Sequence, residues 1–238
     1  MPDGTLVERD RGTPQGSAIS PVLANLFLHY AFDSWLEREW PTVRFERYAD
    51  DAVLHCVTEH QAQQVLAALA ARMNDVGLML HPEKTRIVYC KDERRQREYP
   101  EDRFTFLGFE FRARTVKTRD GRFLNWFGPA ISPKALKRLS IQVRSWRLHR
   151  HTTAALRDLT QWLNPIISGW IAYYGRYGRT ELYRLLCRIN GYLVRWARKK
   201  YRSLYAFKRV KRWWDKLTKY YPRAFTHWQW TTSFIWMR

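Results

Sequence analysis

The sequence has little cysteine. Cys56, Cys90 and Cys187 lie far apart, with no Cys-x-x-Cys pair and no even framework. That excludes a disulfide scaffold and gives no support to a zinc finger; the thiols read as reduced cysteines of a cytoplasmic protein. There is no apolar run of about 18 residues, so no transmembrane span is expected. The amino terminus has no basic-then-apolar signal segment. Internal repeats and low-complexity stretches are also missing. Acidic residues are scarce in one part only. From Phe104 onward, 5 Asp and Glu stand against 29 Lys and Arg, a net of +24, whereas residues up to Arg103 carry 17 against 13, a net of −4.

What is present is enough for a folded protein. The 238 residues are 45% apolar and 27% charged, sufficient for one large or two small domains with a real core. A net charge of +20 opposes compaction by self-repulsion and points to a polyanionic partner, bound by the second part. The opening residues, Met1-Pro2-Asp3-Gly4-Thr5, have the character of a turn inside a domain.

Residues 1–16 are polar and rich in turn formers. Ser20-Pro21 predicts a helix start, with Ser20 at the N-cap and an apolar face of Val22, Leu23, Leu26, Phe27, Tyr30, Trp35 and Leu36, running to about Glu39. Val43 to Val57 predicts a β-hairpin bent at Ala49-Asp50-Asp51, and Glu59 to Val76 a helix ended by Gly77. Two short strands are expected around a turn at His81–Lys84. Residues 91–103 read as a charged loop. Phe104–Phe111 and Phe123–Phe127 read as further strands joined across Asp120-Gly121. After Pro129 the pattern becomes helical: from Ser132-Pro133 to about Leu148, about Thr152 to Tyr174 with a break near Asn164-Pro165, about Thr180 to Tyr201, and about Phe207 to Tyr220. The fold class is therefore α+β, a partial antiparallel sheet with helices over 1–128 followed by an all-α basic domain over 129–238.

Adjacent carboxylates at a hairpin bend have a specific chemical use. Two divalent metals about 3.5–4 Å apart can activate a 3′-hydroxyl and stabilise leaving pyrophosphate. Strand side chains alternate faces, so neighbouring Asp residues share a site only where the backbone bends. Asp also favours turns for its own sake, so the Asp-Asp dipeptide alone is a weak signal.

Several runs together are stronger. Arg11-Gly12-Thr13-Pro14-Gln15-Gly16 with Ser17-Ala18-Ile19-Ser20-Pro21, then Tyr48-Ala49-Asp50-Asp51, Gly77-Leu78 through Pro82-Glu83-Lys84-Thr85, and Phe106-Leu107-Gly108-Phe109 resemble successive reverse-transcriptase blocks, in order. Leu163-Asn164-Pro165, Gly169-Trp170, Tyr173-Tyr174 and Phe225-x-His227-Trp228 resemble the maturase-specific thumb of group II intron-encoded proteins. The resemblance implies a palm and helical thumb of an RNA-directed DNA polymerase with a maturase role. It also implies Mg2+ as cofactor, and intron RNA, RNA/DNA duplex and deoxynucleoside triphosphates as partners. Asp50 and Asp51 carry over as metal ligands and catalytic carboxylates. Gln15, Gly16, Tyr48 and Lys84 carry over as template or nucleotide contacts. The family's palm also uses a third carboxylate, on an earlier strand, and a fingers subdomain. Asp3 and Asp10 lie too close to the Pro-Gln-Gly loop to replace it. The expectation is a truncated chain, inactive alone in polymerisation, whose missing part lies on a separate chain or in a longer product.

In the basic part, Arg195, Arg198, Lys199, Lys200 and Arg202, and Lys208, Arg209, Lys211 and Arg212, interleave with Trp196, Tyr201, Trp213 and Trp214. Cations neutralise phosphates and rings stack on unpaired bases, so these are the candidate RNA contacts. Most of the twelve Trp are expected in the core. Rings and charges mix around the helices, which argues against a membrane-surface helix. His149 and His151 lack a completing carboxylate or Cys, and read as phosphate contacts or plain surface. The competing reading is a non-catalytic maturase-type protein that assists intron RNA folding.

Overall fold

A computed structural model describes residues 18–118 and 120–236. The chain forms two compact units, residues 1–88 and 89–238. The boundary expected near 128–133 falls inside the second unit, between a strand and a helix.

In the first unit, α1 (Ser20–Leu28) continues through a π-helical turn (His29–Asp33) into α2 (Ser34–Glu39). Ser20 is the first helical residue, not a side-chain cap: Ile19 precedes it and no side chain caps the helix. The apolar stripe expected on this helix is mostly solvent-facing. Val22, Leu23, Leu26, Phe27 and Tyr30 are exposed, while Ala31, Phe32 and Leu36 are buried. The π-turn inserts a residue into the helical register and so changes which face meets the core.

β1 (Arg44–Tyr48) and β2 (Asp51–His55) pair antiparallel from Arg44↔His55 to Tyr48↔Asp51. α3 (Glu59–Asp75) begins on Thr58, whose Oγ1 accepts from the Gln61 amide at 3.1 Å. It ends at Gly77, whose φ of 75° suits the left-handed closure of a helix. The core comprises Phe32, Leu36, Val43, Val65, Leu69 and Met73. Arg72 Nε donates to the Ala31 carbonyl at 3.1 Å, tying α3 to the π-turn. The two short strands expected over 78–90 do not form. The segment is irregular around a turn at His81–Thr85, where the Lys84 and Thr85 amides donate to the His81 carbonyl. Of the apolar run that suggested a strand, Leu80 packs against the core, whereas Leu78 and Met79 (88% exposed) face solvent.

In the second unit, β3 (Arg103–Phe106), β4 (Phe109–Lys117) and β5 (Phe123–Ile131) make a three-stranded antiparallel sheet. The run 104–111, expected as one strand, is a hairpin. Leu107 and Gly108 both take positive φ (50° and 80°), the signature of a type I′ turn. The sheet leads into α4 (Pro133–Ser145), α5 (Leu156–Tyr174), α6 (Arg179–Lys200) and α7 (Phe207–Tyr220), with short 3-10 turns at Leu148–Arg150, Arg202–Leu204 and Thr226–Gln229. Ser132 caps α4, its Oγ accepting from the Ala135 amide at 3.2 Å. α5 runs unbroken through Pro165. Beside that proline, Asn164 donates to the Ala224 carbonyl and accepts from the Thr226 amide, fixing the helix to the carboxy-terminal segment.

The core of this unit is much larger. The expected stripe of Leu182, Leu185, Leu186, Ile189, Leu193 and Trp196 is buried along α6. A polar knot sits within it. Asn190 Oδ1 accepts from Trp228 Nε1 (2.9 Å) and lies 2.7 Å from His227 Nε2, while Asn190 Nδ2 donates to the carbonyls of Thr231 and Ser233. Of the Trp residues, 146, 196, 214 and 228 are buried, 126 and 162 are exposed, and the rest are half-buried.

Candidate functional site

The carboxylate pair sits where two strands turn in two residues. Ala49 and Asp50 form the turn, and Asp51 is the first residue of β2, paired with Tyr48. Asp51 therefore belongs to the strand and not to the bend expected for it. Only Ala49 of the turn residues has positive φ, 54°, as in a type II′ turn, where glycine is usual. Holding an L-residue there costs on the order of 1 kcal/mol.

Asp50, Asp51 and Tyr48 are exposed. Neither carboxylate has a hydrogen-bond or ion-pair partner among the described residues. The contrast with Asp33 is direct: its two oxygens accept from Arg47 Nε and Nη2 at 2.7 and 2.6 Å. Asp33 is committed, and the hairpin pair is free for a ligand. Two hard oxygen donors side by side suit Mg2+, which takes one or two protein carboxylates with water and substrate phosphates. Among the described residues no group of three His, Cys, Asp or Glu is placed to hold a metal. Lys84 is exposed on its turn. Gln15 and Gly16, like Asp3 and Asp10, lie outside the described residues.

The cations of the second unit divide into two sets. Lys200 Nζ donates to the carbonyls of Thr152, Thr153 and Ala154 at 2.8, 3.3 and 2.8 Å. Arg198 lies over the Trp236 ring at 4.4 Å and donates to the Tyr205 carbonyl. Lys211 pairs with Asp215 at 3.1 Å, and Arg209 reaches the Ser203 carbonyl at 3.5 Å. These four expected RNA contacts are at least partly occupied in holding the fold. Arg195, Lys199, Arg202, Lys208 and Arg212 have no side-chain partner among the described residues. Arg202 lies beyond the end of α6, in the 3-10 turn that follows, so it does not continue the helical face of Arg195 and Lys199.

A further cluster was not evident from sequence. Burial pushes the His149 imidazole pKa down, and Arg195, Lys199, Arg150 and Arg147 lower it further. Four cations thus lie within electrostatic reach of one partly buried ring. Arg147 and Arg150 belong to the turn after α4, whose left-handed Arg147 (φ 47°) the sequence did not announce. His151 has a structural role: its carbonyl accepts from Trp196 Nε1 at 2.8 Å. Along α7, Lys208, Lys211, Arg212, Lys216 and Lys219 line a shallow groove of about 500 Å³ beside Phe207 and Asp215. Tyr205, just before α7, Tyr220, its last residue, and Tyr221, just after it, are exposed.

The family model described as reverse transcriptase (RNA-dependent DNA polymerase) matches residues 4–111, and that of the group II intron maturase-specific domain matches residues 136–233. The chain belongs to the group II intron reverse transcriptase/maturase family. Residues 48–51 fall within the first match, and the His149 cluster and the α7 groove within the second. The chain is also 28% identical over 105 residues to the Gag-Pro-Pol polyprotein of squirrel monkey retrovirus, a stretch covering 44% of this chain and 5% of that polyprotein. Among the described residues, no helix is long and apolar enough to cross a membrane.

Proposed function

We propose that this chain takes part in RNA-directed DNA synthesis and in the handling of group II intron RNA. In this reading Asp50 and Asp51 hold Mg2+, while Tyr48, Lys84, Gln15 and Gly16 contact template and incoming deoxynucleoside triphosphate. The observation that carries it is the exposed carboxylate pair at the tip of the β1–β2 hairpin, unpartnered among the described residues and within the segment matched by the reverse-transcriptase family. The bound metal would supply activation of the primer 3′-hydroxyl and stabilisation of the leaving pyrophosphate. The protein's own part is to present two carboxylates, adjacent in sequence, at the tip of a hairpin.

The basic unit grips RNA or RNA/DNA duplex. Arg147, Arg150, Arg195 and Lys199 around His149 form one phosphate-binding patch, and the α7 groove forms another. Exposed tyrosines flanking that groove offer stacking surfaces for unpaired bases. We place the functional division between palm and thumb at 128–133, and the protein in the cytoplasm. The exposed apolar stripe of α1 supports packing against a further polypeptide surface.

Primer extension on an RNA template with Mg2+, by the chain alone and together with a polypeptide supplying the additional palm carboxylate, tests the catalytic half. Template-directed synthesis that vanishes in Asp50→Ala, with RNA binding retained, is the expected outcome. A second reading, a non-catalytic RNA-folding protein, is favoured by the surplus of unpartnered cations. It gains if RNA binding persists and no synthesis depends on either Asp in any combination. RNA affinity should fall steeply with salt. Arg147→Ala or Arg150→Ala should each reduce the log–log salt slope by roughly 0.7–0.9; salt-insensitive binding would sink the patch.

A further inference from the structure

The Ala49–Asp50 turn is held from outside its own hairpin. Arg47, on β1 opposite Ala52, makes four hydrogen bonds. Its Nε and Nη2 close a two-pronged pair on the Asp33 carboxylate, at 2.7 and 2.6 Å. Its Nη1 donates to Asn25 Oδ1 at 3.0 Å and to the Ala49 carbonyl at 2.9 Å. Side-chain exposure is 12% for Arg47 and 17% for Asp33, so the pair is nearly enclosed. Asp33 is the last residue of the π-turn, and Asn25 stands on α1. Among the described residues, His29 also faces Asp33, its Nδ1 3.7 Å from Oδ2.

An ion pair that served only to join strand to helix would need no contact with the turn. This one reaches the carbonyl of the single turn residue with positive φ, one position before the carboxylate pair. The guanidinium's planar fork allows that: one edge is spent on Asp33, and the remaining donor spans Asn25 and Ala49. A lysine could neutralise Asp33 but, as a single point charge, could not keep both edges. π-turns are rare and are frequent at functional sites, and here one supplies the anchor.

We propose that Arg47 is a positioning residue for the carboxylate pair: anchored by Asp33 and Asn25, it holds the Ala49 carbonyl and so fixes the turn that presents Asp50 and Asp51 to a divalent metal. The proposal rests on the metal-site reading above. It makes the helix α1–π-turn–α2 part of the site's support, although none of its residues meets the metal.

Mn2+ binding, read by loss of the free-ion electron paramagnetic resonance signal, separates the two claims. Binding that disappears in the Asp50→Asn, Asp51→Asn double variant establishes the site. Against that background, Arg47→Lys should lower Mn2+ affinity about tenfold, the scale of losing a supporting partner of a metal ligand. Adding Ala49→Gly should restore part of the loss, because glycine takes positive φ without a clamp; a merely structural role predicts no such rescue. Asn25→Ala, at an exposed position, removes one anchor in case Arg47→Lys does not fold, and should weaken binding less. Hydrogen exchange across residues 48–52 should quicken in the same variants. Wild-type Mn2+ affinity and exchange in both Arg47→Lys and Asn25→Ala overturn the positioning role. Mn2+ binding indifferent to the Asp50, Asp51 double change overturns the metal reading instead, and with it the purpose assigned to the clamp.

Discussion

Two hairpins in this protein turn on a non-glycine residue forced into the left-handed region, and they solve the problem differently. In the second unit, Leu107 begins the turn between β3 and β4. Its carbonyl accepts from Tyr173 Oη of α5 at 2.8 Å, and the Gly108 carbonyl accepts from the Ser132 amide at 2.9 Å. In the first unit, Ala49 is held by a charged fork, Arg47 on Asp33. The neutral device docks on a core with twenty-two buried side chains; the charged one borders a core with six, among the described residues. The charged fork is itself nearly enclosed, where a paired guanidinium holds strongly, whereas the tyrosine hydroxyl is open to water and its bond is worth less. The difference matches the tasks. A turn that only folds can be pinned by packing, whereas a turn that presents bare carboxylates must resist their mutual repulsion.

The largest effect should come from breaking the neutral side at its centre. Asn190 is fully buried and joins His227, Trp228 and two main-chain carbonyls. Asn190→Ala strands several buried polar groups at once and should cost about 3–5 kcal/mol. Chemical denaturation followed by Trp fluorescence measures it. A loss under 1 kcal/mol would show that the second unit does not depend on its polar knot.

Breaking the charged side should cost less. Asp33→Ala leaves the Arg47 guanidinium nearly enclosed without its carboxylate. Complete burial would imply about 3–5 kcal/mol, and partial exposure brings the expectation to about 2–3 kcal/mol. Denaturation of the variant, with salt as a second variable, checks it. An exposed pair would be weakened by salt, whereas this enclosed one should change little up to molar concentrations.

The two halves were not equally legible in the sequence. α6 was read nearly residue for residue, because a long helix in a large core repeats its apolar stripe many times over. Ser132-Pro133 marked a helix start through a local signal. The hairpin at 44–55 was legible because apolar strands flank a polar bend. What escaped depended on contacts distant in sequence. The Leu107-Gly108 turn looked like the middle of a strand, since nothing local forces a leucine to positive φ, and the hydroxyl that meets its carbonyl, that of Tyr173, is distant in sequence. Nothing in the sequence singled out Arg47, because its partner lies fourteen residues back, on a helix whose π-turn no periodicity reveals. The lysines and arginines of 195–212 were legible as a basic set but not as individuals: Lys200 and Lys199 look alike until the carbonyls of 152–154 are seen to take one of them. Cation-rich helices announce a polyanion partner without saying which charges are free to meet it.

Acid should act on the second unit, by a smaller step for each pH unit. Asn190 Oδ1 already accepts from Trp228 and its amide donates elsewhere, so His227 Nε2 carries the proton and Nδ1 is a buried, unpartnered acceptor. Burial pushes the His227 pKa down to about 3. The unfolded chain takes up a proton near the usual 6.5 while the folded state resists it, so stability is intact above pH 6.5 and is lost progressively toward pH 3. The slope should approach about 1.4 kcal/mol per pH unit within that window. His227→Gln should be less stable at neutral pH and lose most of that slope. An unchanged acid limb in denaturation curves would assign the titration to another group.

The smallest effect returns to the neutral turn. Tyr173 is 49% exposed, so water can replace its hydroxyl on the Leu107 carbonyl. Tyr173→Phe should therefore cost only about 0.5–1 kcal/mol. The informative measurement is the pair with Leu107→Gly. Glycine takes the left-handed turn without the strain that leucine carries, although it gives up whatever packing the leucine makes. If the hydroxyl's role is to hold that strained carbonyl, the cost of Tyr173→Phe should shrink in the Leu107→Gly background, a coupling visible in a double-mutant cycle. Strictly additive changes would mean that Tyr173 contributes through its ring, which lies 5.3 Å from that of Phe109, and not through the bond to the turn. The same cycle on Arg47 and Ala49 should give the larger coupling, because the charged clamp has less packing behind it to share the work.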